Sequence, residues 1–484
     1  MKRKTFVAIA IAVAIVALVS VTVSRIAEKE IRMSMARSSG AKVNAGKVHF
    51  SLLKGTLEMK DLELTMQDST GKFPDVHGTI EALKLKKLRW IGLFQHQAVF
   101  SELEVENGAI GLNGTKGGPK GTARISHLSV RETGYSFRDS VVMYNDSLYS
   151  FSIDSLDMTA PDGLSRIQIG HLEQADAGPV KAQVLHLFST APMEKTAKRL
   201  GNLAAIWFNI KLDSLSTSPI HFSRMMADKH VAIESIRLSG PEAVICQDDR
   251  LPPASPYSTI QEFFNTWDFP MRIGQINARF DAGSFIWQTT HVNRGLLPLQ
   301  NLKVTVNSIS NTPGNVMDVA LNTGLPGKSR MNFSLHIHNN HEESTSGKYQ
   351  IRNLDASKMD GFFRPLFGAT VRADIHRIDG QFQGNKNKLD TQFCMLYDNL
   401  EVHAWDDSSA PFRIVADNTG IVNFLANLLL PHANPLQPGK EPKKVKYQSE
   451  REVRHSYPEY IIRSMLSGAM HTVLPGSRIH EMGK

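Results

Sequence analysis

Leu57-Glu58-Met59-Lys60-Asp61-Leu62-Glu63-Leu64-Thr65-Met66 alternates apolar and polar side chains, with one change of phase between Met59 and Leu62. A two-residue period places alternate side chains on opposite faces of a β-strand, so the stretch reads as a strand with one apolar face. The same texture recurs along the chain. Leu83 and Leu85 alternate with Lys84 and Lys86, and Leu103 and Val105 with Glu102, Glu104 and Glu106. Leu302, Val304 and Val306 repeat it, followed by Met331, Phe333, Leu335 and Ile337, then Val371, Ala373 and Ile375, then Phe393 and Met395. Turn chemistry falls between these runs, at Asp75 to Gly78, Asn107-Gly108, Asn113-Gly114, Gly117-Gly118-Pro119, Asp162-Gly163, Pro313-Gly314 and Asp379-Gly380. From Val48 to Val415 the chain is therefore expected to be mainly β, with too many strands for one immunoglobulin-like sandwich.

A weak internal repeat organises these strands. Trp90 to Phe94 leads into Val99 to Ile110; Phe222 to Met226 leads into Val231 to Ile245, with a turn expected at Gly240-Pro241. Ile273 to Ile286 reads as a third, shorter copy of the strand–turn–strand part. Strand units that cannot bury their own faces stack on neighbours, which favours one extended, curved antiparallel sheet over two sandwiches. Helical candidates are few: Ala191 to Trp207, Ser258 to Trp267, Ile421 to Leu430, and Tyr457 to Leu474 with Tyr460, Ile461, Met465 and Leu466 at helical spacing. Pro431 to His455, rich in Pro, Lys and Glu, reads as a linker.

Composition narrows the function class. Of 484 residues, 41% are apolar and 21% charged, which is ordinary globular usage and excludes wholesale disorder. The net charge of +8 is too diffuse over this length to argue for nucleic acid. Two cysteines, Cys246 and Cys394, cannot build a disulfide framework, and their spacing leaves a bonded pair and two separate thiols both open.

The N-terminus speaks to location. Met1-Lys2-Arg3-Lys4 precedes an uncharged run from Thr5 to Ser24. Twenty helical residues rise roughly 30 Å, the thickness of a bilayer's hydrocarbon core. The run is long for a signal peptide and ends in β-branched residues rather than a small-residue cleavage site, so it reads as an uncleaved anchor. The basic cluster at Lys2 to Lys4 keeps that end in the cytoplasm and exports the remainder. The expected organisation is a cytoplasmic tail (1–4), an anchor (5–24), a juxtamembrane linker (25–45), two β-groove units (46–200 and 201–420) and a helical and linker C-terminal segment (421–484).

Chemistry-bearing motifs are sparse, and neither an enzyme nor a cofactor is indicated. His336-Ile337-His338-Asn339-Asn340-His341 approaches the HxHxDH zinc motif of metallo-β-lactamase-like hydrolases. Asn340 stands where that motif needs Asp, however, and Glu342-Glu343 where the family places glycines. His336 and His338 also fall on the polar face of their strand, so a solvated edge is the plain reading and a metallohydrolase the remote one. Lys84, Lys86, Lys87 and Arg89 form a basic stripe, either a solvated face or a contact for anionic headgroups.

The anchor, followed by His49-Phe50-Ser51-Leu52-Leu53-Lys54-Gly55-Thr56 and Leu57 to Leu64, resembles the AsmA-like group of envelope proteins, the relatives of TamB. Ile80 to Leu112 is similar to that group's strand, short knob and strand pair, and Phe424 through Ser467-Gly468 to the ending of short, Bacteroides-type members. The resemblance implies a single-pass inner-membrane protein with a β-rich periplasmic body shaped as a groove with an apolar lining, contributing to lipid transport or outer-membrane maintenance. Phospholipid acyl chains, the inner membrane and other envelope proteins are the partners it implies. A one-faced apolar sheet must cover that face with something, and few helices are visible to do it. Either a second sheet or acyl chains would, with Leu57, Leu62, Leu64, Leu83, Leu85, Leu103 and Val105 as lining candidates. A scaffold of similar fold that carries no lipid is the alternative.

Overall fold

A computed structural model describes residues 41–51, 54–66, 75–87, 97–113, 120–136, 141–143, 149–160, 163, 165–176, 178–191, 206–220, 230–248, 270–288, 294–340, 343–367, 369–404, 431–435, 437, 439–451 and 457–473. The expected anchor, Arg89, His341 and the helical candidates at 258–267 and 421–430 lie outside these residues. No helix among the described residues is long and apolar enough to cross a membrane. The protein is mainly β, with nineteen strands among the described residues. The chain divides into two compact units, Met1–His186 with Ser214–Asp228, and Leu187–Asp213 with Lys229–Lys484.

In the first unit β1 (Ala41–Ser51), β2 (Thr56–Met66), β3 (Asp75–Lys86), β4 (Gln97–Asn113) and β5 (Lys120–Ser136) pair antiparallel in chain order. The short β6 (Val141–Met143) pairs with one end of β5, and β7 (Tyr149–Thr159) takes the rest before β8 (Ser165–Gln174) continues the series. The chain then runs through β9 (Pro179–Ser189) and β10 (Ile206–Pro219). Trp207, expected at the end of a helix, lies in β10.

The phase change seen in the sequence has a structural cause. Asp61 sits at φ 54° and Asn107 at φ 50°, both in the left-handed region. The ladder bridges Ala45 to Leu62 and Lys47 to Lys60 but skips Gly46 and Asp61 between them. It skips Glu81 opposite Asp61, Asn107 opposite Glu81, and Ser126 opposite Asn107 in the same way. One crease thus crosses five strands at a common level. Each strand turns its alternation over there, so Met59 and Leu62 share a face that strict period two would deny them. Gly46 suits the crease because a Cβ there would stand 3.0 Å from Cβ of Asp61.

Four expected turns are therefore strand interior. Asp75 to Gly78 lies in β3 and Asn107-Gly108 in β4, while Gly240-Pro241 lies in β11 (Val231–Asp248) and Asp379-Gly380 in β17 (Ala369–Gly384). At these places Asn and Gly serve a kink or a close approach, and the neighbouring strand carries the chain straight through. Gly380 leaves room for the Tyr349 ring, which lies directly over it. Gly163 and Pro313-Gly314 do turn, with both glycines at positive φ, while Asp162 lies outside the described residues.

In the second unit β11 and β12 (Met271–Gln288) pair in parallel, against the expectation of a wholly antiparallel sheet. The reason is the repeat itself: Ile233 faces Ile273, Ile236 faces Ile276 and Ile245 faces Phe285, so the two copies lie in matching phase side by side. The long connection between them is what a parallel crossover requires. Antiparallel pairing resumes through β13 (Arg294–Ser310), β14 (Val316–Gly324), β15 (Arg330–His338), β16 (Thr345–Asp355), β17, β18 (Lys388–Ala404) and β19 (Lys444–Glu450). The segment read as a linker thus contributes the edge strand β19; alternating Lys444, Val445, Lys446 and Tyr447 give it one face to bury and one to solvate.

Two helices cover the apolar face of this unit, which corrects the expectation that helices are too few to do so. α1 (Asp360–Phe367) follows a 3-10 turn, Ala356–Met359, capped by Asp355 Oδ1, which accepts from the Ser357 amide at 3.0 Å. It packs on β13 and β17, burying Phe362. α2 (Tyr457–Val473) lies on β18 and β19 and buries Tyr460 and Ile461 against Leu389, Phe393 and Val445. Its seam is partly polar. Ser464 Oγ is 3.0 Å from Thr391 Oγ1, the Tyr447 hydroxyl donates to the Ser464 carbonyl at 2.5 Å, and the His471 ring stacks on Tyr447 at 5.1 Å. Among the described residues of this unit, the apolar face over β13 and β17 to β19 is thus covered by the chain's own helices.

Candidate functional site

The strand register of the first unit brings the seven lining candidates together. Across the strands, Phe50, Leu57, Leu85, Leu103 and Val130 form one row. Val48, Met59, Leu83, Val105, Leu128 and Phe151 form the next. Beyond the crease come Ala45, Leu62, Ile80, Ile125, Ile153 and Leu172, and then Leu64, Ile110, Ala123, Leu156 and Ile169. From β1 to β8, six inter-strand steps of about 4.8 Å make this band roughly 29 Å long. A hydrocarbon leaflet is about half of 30 Å, so the band matches about two leaflets end to end.

The seven candidates divide by exposure. Leu57, Leu62 and Val105 are buried among their neighbours, at 6%, 2% and 6% exposure. Leu64, Leu83, Leu85 and Leu103 are half-buried, which leaves part of each side chain accessible. Both described helices pack on strands of the second unit.

The basic stripe has a different outcome. Lys84 and Lys86 point to the face opposite Leu83 and Leu85, where the glutamates of β4 meet them. Lys84 Nζ is 3.0 Å from Glu106, and Lys86 Nζ is 2.5 Å from Glu104 and 3.2 Å from Glu102. Arg131 adds a longer contact to Glu102 at 3.8 Å. Hydrogen bonds to these carboxylates raise both lysine pKa values, and the pairing with Lys84 lowers that of Glu106. The stripe is thus one side of a cross-strand charge ladder, engaged within the sheet. Lys87 lies at φ 51° just past β3, exposed.

His336 and His338 lie on the exposed face of β15, and His336 Nδ1 is held 2.5 Å from Asp318 Oδ1 on β14. Among the described residues no group of three His, Cys, Asp or Glu is placed to hold a metal ion. Cys246 and Cys394 are both buried and neither is in a disulfide, and burial raises the pKa of Cys394.

The sequence reading missed the crease that keeps both phases on one face, and the row alignment that turns separate strands into a band. The signal for the first was present in the interruptions Lys60-Asp61 and Glu106-Asn107. The second depends on register. No protein-family model matches this chain, and no curated protein matches it either.

Proposed function

We propose that this is an AsmA-like, membrane-anchored envelope protein that holds phospholipid acyl chains on the apolar band of its first unit. It works without catalysis and contributes to lipid transport or outer-membrane maintenance from the periplasmic side of the inner membrane. The observation that carries this reading is the set of apolar rows crossing β1 to β8, with half-buried Leu64, Leu83, Leu85 and Leu103 along it. Each methylene removed from water on such a surface contributes about 0.8 kcal/mol, so a single acyl chain lying along the rows has ample driving force. The second unit supports the lining role of the first by contrast, since its apolar face is occupied by α1 and α2.

The test is lipid retention by the full-length chain. Mass spectrometry of copurifying lipid, and transfer of labelled phospholipid between vesicles, are measured for the parent and for Leu83→Gln/Leu85→Gln/Leu103→Gln. Retention that the triple substitution abolishes, with the fold intact by circular dichroism, supports the reading. A parent chain that holds no lipid and transfers none turns the band into an interface for other envelope proteins.

A further inference from the structure

The opposite, polar face of the second unit carries a second ordered surface. Ala320, Ser334, Lys348, Gln381, Gln392 and Lys446 form a straight row across β14 to β19. On one side of it lie Asn322, Asn332, Gln350 and Asp379, and on the other His336, Ser346, Gln383 and Asp390. These rows floor two adjoining depressions of about 960 and 700 Å³, which share Ser334, Lys348, Gln381, Gln392 and Lys446.

The polar groups here are only partly used by the protein. Arg377 is 2.6 Å from Asp379, Gln381 donates to Gln392 at 3.0 Å, and the Gln448 amide donates to Asp390 at 2.9 Å. Among the described residues Lys348 and Lys446 have no ion-pair partner. Ser334 Oγ is buried with no hydrogen-bond partner, in the wall common to both depressions. A buried hydroxyl left unpaired is costly, and an incoming polar group would relieve it.

We propose that this trough binds an extended, anionic, hydroxyl-rich chain, that is, an acidic glycan. The amide and hydroxyl side chains recur about every 4.8 Å, a repeat comparable to one sugar of an extended glycan. Lys348 and Lys446 stand three strands apart, roughly 14 Å, and pair with acidic groups spaced along the ligand. The three rows carry no Phe, Tyr or Trp, and their one ring, His336, is held by Asp318, so recognition is by hydrogen bonds and charge.

The experiment measures binding of the full-length chain to hexagalacturonate, to neutral cellohexaose, and to vesicles bearing a sialylated glycolipid. Hexagalacturonate binding that exceeds cellohexaose binding, and that weakens about tenfold for each of Lys348→Gln and Lys446→Gln, supports the trough. Ser334→Ala weakens binding without lowering the unfolding midpoint. Binding confined to the vesicles but equally sensitive to both lysines assigns the glycan to a lipid carrier. No preference for the acidic probes over cellohexaose, or binding indifferent to both lysine substitutions, overturns the proposal. Because the trough and the apolar band lie on different units, lipid retention and glycan binding fail separately.

Discussion

Gly468→Ala tests how α2 is seated on β18, because two effects of opposite sign meet at that position. Alanine is better than glycine inside a helix by about 1 kcal/mol, so propensity alone predicts a gain. A Cβ at 468, however, would stand 2.6 Å from two ring carbons of Phe393 and 2.8 Å from the Tyr447 hydroxyl oxygen. Ordinary contact begins near 3.4 Å, so ring or helix must move by most of an ångström. Phe393 is 3% exposed and has Tyr349 beside it at 6.4 Å between centroids, which leaves the ring little freedom. Overpacking of this kind costs about 1–3 kcal/mol. A shift of the helix also strains the Tyr447 to Ser464 hydrogen bond, about 1 kcal/mol more.

The net expectation is a loss of about 1–3 kcal/mol, a fall in Tm of roughly 2–12 °C for a unit of this size. The assay is thermal and urea unfolding followed by circular dichroism, repeated in a Phe393→Leu background. There the smaller side chain makes room, and Gly468→Ala should turn stabilising as propensity takes over. A stabilising Gly468→Ala in the parent, or the same penalty in both backgrounds, would falsify this account of the docking.

Leu62→Ala removes a side chain that is 2% exposed and should lower stability by about 2–5 kcal/mol, read from the urea midpoint of the first unit. Lys86→Gln breaks two surface pairs to Glu102 and Glu104 and should cost about 1 kcal/mol or less, with the difference shrinking in high salt. Burial pushes the Tyr397 and Tyr447 hydroxyls up to about 12 from an ordinary 10.0. A folded pKa above the unfolded one gives stability that is complete below pH 10 and lost between about 10 and 12, so unfolding midpoints should fall in that window. Ultraviolet titration should show these two tyrosines ionising above the ordinary range, and Tyr349, which burial raises further, ionising after them. Cys246 and Cys394 should resist a thiol reagent in the folded chain and both react once it is denatured, and a lower final count would contradict the absence of a disulfide.

The helix at the C-terminus and the alternating strands were legible because their periods are local. Tyr460, Ile461, Met465 and Leu466 needed only 3.6-residue spacing to be found, and all four pack on the core. β19 was not legible, since seven residues of Lys, Val, Tyr, Gln, Ser and Glu inside a Pro- and Lys-rich stretch become a strand only when β18 offers an edge. Asn107-Gly108 and Asp379-Gly380 misled for a related reason: the same residues serve a turn or a kink, and the adjacent strand decides which.

By itself the sequence determined the β class, the one-sided strands and the candidates Leu57, Leu62, Leu64, Leu83, Leu85, Leu103 and Val105, because side-chain alternation is a property of each strand alone. Only the tertiary structure decided that these seven stand in continuous rows and that Lys84 and Lys86 are engaged by glutamates. It likewise decided that the second unit shuts its own apolar face, while Lys348, Ser334 and Lys446 align on the other side. Those outcomes follow from register and from which element packs on which face, and both are set by partners distant in the chain.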